Sequence, residues 1–564
     1  MKRFRPNHFG QNFLLPPDVN EWLSEKHFAR FLHTLVTDSL DLSSIRSAYY
    51  TKTGSGAPPY DPAMMVTLLI YCYCMGRRSS RIIESMTYDD LGVRYLTGNQ
   101  HPDHDTVAAF RKRHLAAVTD LFRQVLQICE GVGLLRAGDI ALYLDGTKIL
   151  ANASRHQTVT YAKVRKTEAQ LAEDVDRILR EAQEIDDAED EAERRGDRDI
   201  AKELADPVEA RKRIKAAKAA LDKMTKVREE MESAARRQAQ AEVVAAEQKR
   251  EAHESEQKPG RKPVVPDIDD LIQQKLDVMQ INLTDPDSRL MKDGATKAIV
   301  QGYNCQAVVA KGSQVIVAYD AVNEENDIRQ LAPMATKADE ELALIGVVPG
   351  QKVPFAADAG YLSVSQVGLL DTSRFDLHVA PGKKAEPGAD ARGQDGNNAR
   401  SEGATPDSAS DAVADAGVRR PDPVEPPRRG GFTMYTAPEP EPTEAALLQA
   451  RMKAKLATDE GKEFYRHRSS HSEAVFGEIK ENRGMRRMKM RGLVCAVGEW
   501  GMTCLSHNIL KLYRYMQKEA DAAEREAATS QAKQEAPAKP AIPDPRQSCV
   551  KNRAINAELA LGWG

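Results

Sequence analysis

The chain is 564 residues long, with 41% hydrophobic and 29% charged side chains and a formal net charge of −4. That length and apolar share provide for several domains and at least one sizeable core, as in a soluble intracellular enzyme. Two classes drop out: the apolar run Met64–Met75 is too short for a membrane span and is broken by Thr67, and the basic N-terminus MKRFRPNHFGQ has no apolar signal region behind it.

From about Pro17 to Leu134, apolar residues recur at three- and four-residue spacing in VNEWLSEKHFARFLHTLV, PAMMVTLLIYCYCMG and HDTVAAFRKRHLAAVTDLFRQVLQICEGVG, which predicts helices. Asp61-Pro62 marks a helix start with proline at the first helical position, and Asp105 or Thr106 stands where a cap of the last helix belongs. Seven cysteines are scattered along the chain. The close pair Cys72-Tyr-Cys74 lies in an apolar helix and reads as core, since no second Cys or His pair stands at zinc-ligand spacing. Arg77, Arg78, Arg81, Arg111 and Lys112 are either phosphate contacts or the solvated charges of a helical bundle.

The mostly apolar run Ile140–Leu150 reads as a buried strand, and Asp145 inside it has to be paired, ligated or strained. From Val164 to about Glu256 the chain is mainly Ala, Glu, Asp, Lys, Arg and Gln, which predicts an antiparallel coiled-coil hairpin turning near Arg195–Arg198 or Asp206–Pro207. Its apolar stripes are Leu171, Val175, Ile178 and Leu179, then Ile214, Ala217, Leu221, Met224 and Val227; a structural arm is the expectation. EQKPGRKPVVPD (256–267) closes this insertion. GYNCQAVVAKGSQVIVAYDAV then gives two strands joined at Lys311-Gly312-Ser313, and VPFAADAGY gives another that ends on Asp358. These strands are expected to form one mixed sheet with Ile140–Leu150, with helices around Ile328–Leu342 and Glu473–Glu481 packing on it. Asp320 and Asp327 are further acidic candidates, Asp327 reading better as a helix cap.

Residues from about Lys383 to Pro442 hold almost no aromatic or branched side chains before Phe432 and bury too little to order themselves; Glu519–Arg546 has a similar bias. Between them lies YRHRSSHSEAVFGEIKENRGMRRMKMR, Tyr465–Arg491. Glu473 and Lys480, seven residues apart, share a helix face, with Phe476 as an inward anchor. Arg483, Arg486, Arg487, Lys489 and Arg491 follow. A carboxylate beside a basic strip suits an enzyme that acts on nucleic-acid phosphates. The overall charge of −4 does not oppose this, because basic residues cluster at Lys2–Arg5, Arg77–Arg81, Arg111–His114 and Arg483–Arg491 while acidic ones lie in the insertion and the linker.

The sequence resembles the DDE transposases of bacterial insertion sequences, in the branch with a helical N-terminal domain and a ribonuclease-H-like core. The pieces that carry the resemblance stand in family order: YDPAMMVTLLIYCYCMGRRSSRIIE from Tyr60, PDHDTVAAFRKRH from Pro102, LDGTKILANAS from Leu144, TDPDSRLMK from Thr284, GYNCQAVV from Gly302, ADAGY from Ala357, then SEAVFGEIK and RGLVCAVGEWGMTCLSHNILKL. They span most of residues 1–515 outside two inserted segments. One spacing departs from the family signature, Tyr-two-Arg-three-Glu-six-Lys: four residues separate Arg468 from Glu473, whereas Glu473 to Lys480 fits.

The resemblance implies an α+β or α/β fold: a helical N-terminal DNA-binding and dimerisation domain (1–135), a ribonuclease-H-like core (136–160 and 261–382) interrupted by the coiled-coil insertion (161–260), a disordered linker (383–445), C-terminal core helices (446–518) and a mostly disordered tail (519–564). It implies Asp145, Asp358 and Glu473 as catalytic, metal-holding residues for two Mg2+ ions, with Mn2+ able to substitute. Tyr465, Arg468, Lys480, Arg483, Arg486 and Arg487 would join the N-terminal basic residues on DNA. The implied reaction is cleavage at the terminal inverted repeats and joining of the 3′ ends to target DNA. It would be carried out by a homodimer or larger assembly, in the prokaryotic cytoplasm at the nucleoid, away from membranes. The alternatives are a metal-dependent nuclease without strand transfer and a catalytically inactive DNA-binding relative.

Overall fold

The computed structural model describes residues 19–49 except 22, 58–195, 207–255, 262–347 except 295, 352–382 and 443–535. The N-terminal helices are α1 (Phe28–Thr34), α2 (Ser43–Ser47), α3 (Pro62–Cys74), α4 (Ser80–Asp89), α5 (Leu91–Thr97), α6 (His104–Arg113) and α7 (Ala117–Gly131). Asp61 caps α3 by accepting from the Ala63 amide, with Pro62 just inside, as the sequence predicts. Apolar on nearly every side, α3 is buried on nearly every side, and Cys72 and Cys74 are free thiols in its core-facing surface. Two expectations are corrected. Asp103, not Asp105 or Thr106, caps α6 by accepting from the Thr106 amide, and the chain turns at 114–116 so that α6 and α7 are separate helices.

Among the described residues eight strands follow: β1 (Leu142–Leu150), β2 (Thr158–Thr160), β3 (Gln280–Asn282), β4 (Arg289–Lys292), β5 (Ile299–Ala310), β6 (Ile316–Val322), β7 (Val353–Ala357) and β8 (Phe375–Val379). β1 pairs antiparallel with β5 along its whole length, from Leu142↔Ala310 to Leu150↔Gly302. On its other side it pairs parallel with β7, only from Leu142↔Phe355 to Leu144↔Ala357. β6 and the short β4 add antiparallel to β5, and β8 adds parallel to β7. The five longer strands therefore lie in the order β6-β5-β1-β7-β8, the mixed sheet that the sequence predicts.

The insertion holds α8 (Tyr161–Arg195) and α9 (Pro207–Ser255), and α10 (Ile268–Val278), beyond its expected end at 260, packs on α9 beside the two-stranded β2–β3 ribbon. The Tyr161 hydroxyl donates to Glu232 and Arg228 pairs with Glu168, so α8 and α9 run in opposite directions. Val164, Val227, Met231 and Ala235 pack with Val159, Leu276 and Ile281 into a separate small core at its base. The expected hairpin turn falls largely on residues 196–206, outside the described residues, as does nearly all of the expected linker.

Helices α11 (Leu331–Leu344), α12 (Val364–Gly368), α13 (Glu444–Ala457), α14 (Asp459–Gly477) and α15 (Leu493–Glu535) complete the fold. α14 lies on β1 and β7, and α11 on β5 and β6. The helix α15 continues through the first part of the segment expected to be a disordered tail. Its apolar first half, with Trp500, Leu505 and Ile509, is buried against α3, α7 and β6. N-terminal helices and sheet consequently share one continuous hydrophobic core. No described helix is long and apolar enough to cross a membrane.

Candidate active site

The last parallel pair between β1 and β7 is Leu144↔Ala357, and the next residue on each chain is an aspartate, Asp145 and Asp358. Strand pairing thus brings two carboxylates from distant stretches of sequence to the same level, at the mouth where the strands part. Both face the guanidinium of Arg468 on α14, which lies 3.5 Å from Asp145 Oδ2 and 3.5 Å from Asp358 Oδ1. The Tyr465 ring braces that guanidinium, 5.6 Å from its centroid. The Ser472 hydroxyl donates to Asp145 Oδ2 at 2.8 Å, and the Gly146 amide donates to Oδ1 at 2.8 Å. Burial pushes the Asp145 carboxyl above its ordinary value; the Ser472 bond, Arg468 and the Gly146 amide pull it back, and neighbouring Asp358 adds to the rise.

Tyr465, Arg468 and Ser472 stand at helical spacing on the α14 face turned to the sheet. Glu473 follows Ser472, about 100° further round the helix, and is exposed; no described contact joins it to either aspartate. Asp145 and Asp358 are hard oxygen donors aimed at one cation, a pairing that suits a divalent ion. Among the described residues no group of three His, Cys, Asp or Glu side chains is arranged to hold a metal. Phe476 is the inward anchor predicted, buried and stacked on Trp500 at 6.2 Å between centroids. The shared face expected for Glu473 and Lys480 is corrected. The α-helical turn ends at Gly477 and a π-helical turn occupies Glu478–Asn482, which breaks the seven-residue phase. His471 Nδ1–H donates to the His467 carbonyl at 2.8 Å, within its own helix.

Beyond the parting of β1 and β7 the surface opens into a cleft of about 850 Å³, lined by Lys148, Lys292, Lys297 and Lys480 together with Asp293, Glu325 and Asp327. Burial draws the Lys480 ammonium below its ordinary value, partly offset by Asp293. Asp327 is not the helix cap expected. It accepts from the side-chain amides of Asn304 at 2.7 Å and Gln306 at 2.8 Å, and Lys148 is 3.8 Å away. A Cβ on Gly146 would stand 2.6 Å from Gln306 Nε2 and 2.9 Å from the Tyr361 hydroxyl, so this network closes over a bare backbone. Asp320 pairs instead with Lys337 at 2.6 Å. Sequence reasoning missed Asn304, Gln306, Tyr361 and Ser472; the signal for the first two was a pair of amides at alternate positions of an apolar strand.

Three predicted DNA contacts are corrected because they are buried. Arg78 pairs with Glu499 at 2.9 Å and donates to the Arg487 and Gly484 carbonyls. Arg111 donates to the Arg78 carbonyl, and Arg483 to His507 and the Thr503 carbonyl. These guanidiniums sew the N-terminal helices and α15 together. Arg77, Arg81, Lys112, Arg486 and Arg487 are exposed, with Arg486 paired to Glu481 at 2.5 Å.

Residues 17–113, spanning α1 to α6, match the transposase domain family DUF772, and residues 439–513, with Tyr465, Arg468, Glu473 and Lys480, match the transposase DDE domain family. No curated protein and no solved structure matches the chain. A transposase domain ahead of a mixed sheet and a DDE domain defines the class, a transposase with DNA as its substrate. More narrowly, the two family matches support a DDE transposase of the insertion-sequence type.

Proposed function

We propose that the chain binds the terminal repeats of its element, cuts at the element ends and joins the 3′ ends to target DNA, working as a dimer or larger assembly with Asp145, Asp358 and Glu473 as its acidic residues. The observation that carries this reading is the convergence of Asp145 and Asp358 where β1 and β7 part, under the helix that bears Arg468 and Glu473. The strand order is consistent with a ribonuclease-H-like core.

Asp145 and Asp358, with Glu473 from α14, would hold the two Mg2+ ions. Such ions, when bound, activate a water and stabilise the leaving oxygen of a phosphodiester. The protein groups have their own tasks. Arg468 neutralises the aspartate pair, Tyr465 holds Arg468 in place, and Ser472 and the Gly146 amide fix the rotamer of Asp145. Lys480 and the other cleft lysines supply positive charge beside the scissile phosphate, and Arg77, Arg81, Lys112, Arg486 and Arg487 extend it over the surface.

One observation favours a second reading, a DNA-binding relative that no longer cuts: Ser472, not Glu473, faces Asp145. Cleavage of labelled DNA bearing the element's ends, with magnesium, separates the two. Cutting and joining by the wild type, lost in Glu473→Gln with end binding retained, is the expected result. Equal activity in both would remove Glu473 from the site, and end binding without cutting in either would establish the second reading. Cutting without joining would leave a nuclease.

A further inference from the structure

A second groove, about 750 Å³, lies beside the far end of β1, and its lining holds Arg155, His156, Arg487 and Arg491 but no Asp or Glu. In the cleft next to the aspartates, by contrast, three acids offset four lysines. We propose that this groove holds the phosphate backbone of bound DNA on the order of five base pairs from the cut. The inference rests on the transposase reading and assigns a place on the DNA to side chains outside the acidic centre.

The groove is built by backbone pairing. The Leu150 amide donates to the Arg486 carbonyl at 3.0 Å and the Met488 amide to the Leu150 carbonyl at 2.7 Å, so the segment after the π turn runs along the end of β1. Arg487 and Arg491 are thereby placed side by side. Arg487 donates to the Ala151 carbonyl at 3.2 Å and Arg491 to the Asn152 carbonyl at 3.1 Å. Neutral carbonyls fix the two side chains and leave their charge uncompensated, and among the described residues neither these two nor exposed Arg155 has a carboxylate partner. Ser154 lines the same groove and adds a neutral hydroxyl of the kind that meets phosphate oxygens, while the Asn152 amide is held by the Lys489 carbonyl and the buried Gln301 amide by Ser288. Arginine suits the role because its fork of donors matches phosphate geometry.

The groove and the cleft meet along one hairpin, Lys297 lining the cleft and Ala298 the groove. From Asp145 to Leu150 is five steps along one strand, roughly 17 Å at about 3.3 Å per residue. That distance corresponds to about five base pairs of duplex at ~3.4 Å each.

The test uses the full chain and a duplex with the element's end. Binding is measured across a salt series for the wild type, for Arg155→Ala (an exposed side chain with no hydrogen bond or ion pair among the described residues) and for the combined Arg155→Ala, Arg487→Ala, Arg491→Ala protein; phosphate-ethylation interference locates the contacts. Each lost contact is expected to reduce the slope of log K against log salt by ~0.9, so the combined variant loses about 2–3, and interference disappears at phosphates on the order of five base pairs from the cut. Arginine-to-lysine versions keep most of the slope. Wild-type slope and interference in both alanine variants would overturn the assignment while leaving the transposase reading intact. Wild-type DNA binding combined with loss of self-association would give the groove to a second copy of the chain and equally overturn it. Failure of the wild type itself to bind the end would overturn the transposase reading, and the groove's role with it.

Discussion

The surroundings of Asp145 work against its ionised form. Burial disfavours its charge, and one hydroxyl, one amide and one shared guanidinium offset that only in part. A neutral isostere removes the burden while keeping the shape. Asp145→Asn is therefore expected to raise the thermal midpoint of chelator-treated protein by on the order of a few degrees while abolishing cleavage. A midpoint that falls in differential scanning calorimetry would show that the charge stabilises the fold. This is the stability–function conflict common at sites organised for charged chemistry.

At the scale of elements, α15 is held to the sheet hairpin by a neutral histidine. The His507 Nε2–H donates to the Gln314 carbonyl at 2.9 Å, and Nδ1 accepts from Arg483 at 3.2 Å. Only an uncharged ring fits both contacts. Burial, with Arg483 alongside, pushes its pKa well below 6.5, even though Glu478 lies 3.9 Å away. The unfolded chain takes up this proton near pH 6.5 and the folded chain does not. Its stabilising contribution is thus complete above 6.5 and declines as pH falls below it, by up to ~1.4 kcal/mol per pH unit for one proton. Urea unfolding between pH 6.5 and 5 should show that slope in the wild type and lose it in His507→Gln, whose baseline stability is lower. An unchanged slope would assign the acid sensitivity elsewhere.

The whole molecule turns on α15, which packs against the N-terminal helices on one side and the sheet on the other. Arg78 reaches across that junction from the loop after α3 to Glu499, whose second oxygen accepts from the Lys489 and Met490 amides. Both side chains are buried, 5% and 0% exposed. Removing one partner strands the other charge, so Arg78→Met is expected to cost about 3–5 kcal/mol and to lower both halves together in denaturant unfolding. Separate transitions for the N-terminal helices and the sheet would contradict the single core.

Much of this protein is legible from local pattern. Asp61-Pro62 starts its helix, Phe476 turns inward, and two apolar runs that each end on or hold an aspartate become neighbouring strands, because these features depend on residues close in sequence. Local pattern failed where partners come from afar. Arg78, Arg111 and Arg483 look like surface cations until folding supplies Glu499, carbonyls and His507 to receive them. Asp327 looks like a cap until Asn304 and Gln306 arrive from β5. The phase between Glu473 and Lys480 assumed an unbroken α-helix, and one π turn undid it. The sequence by itself determined the elements, the acidic strand ends and the transposase likeness. Only the tertiary structure decided which charges are buried struts, which face solvent, and which side chain of α14 meets Asp145, since burial and pairing are properties of contacts between distant parts of the chain.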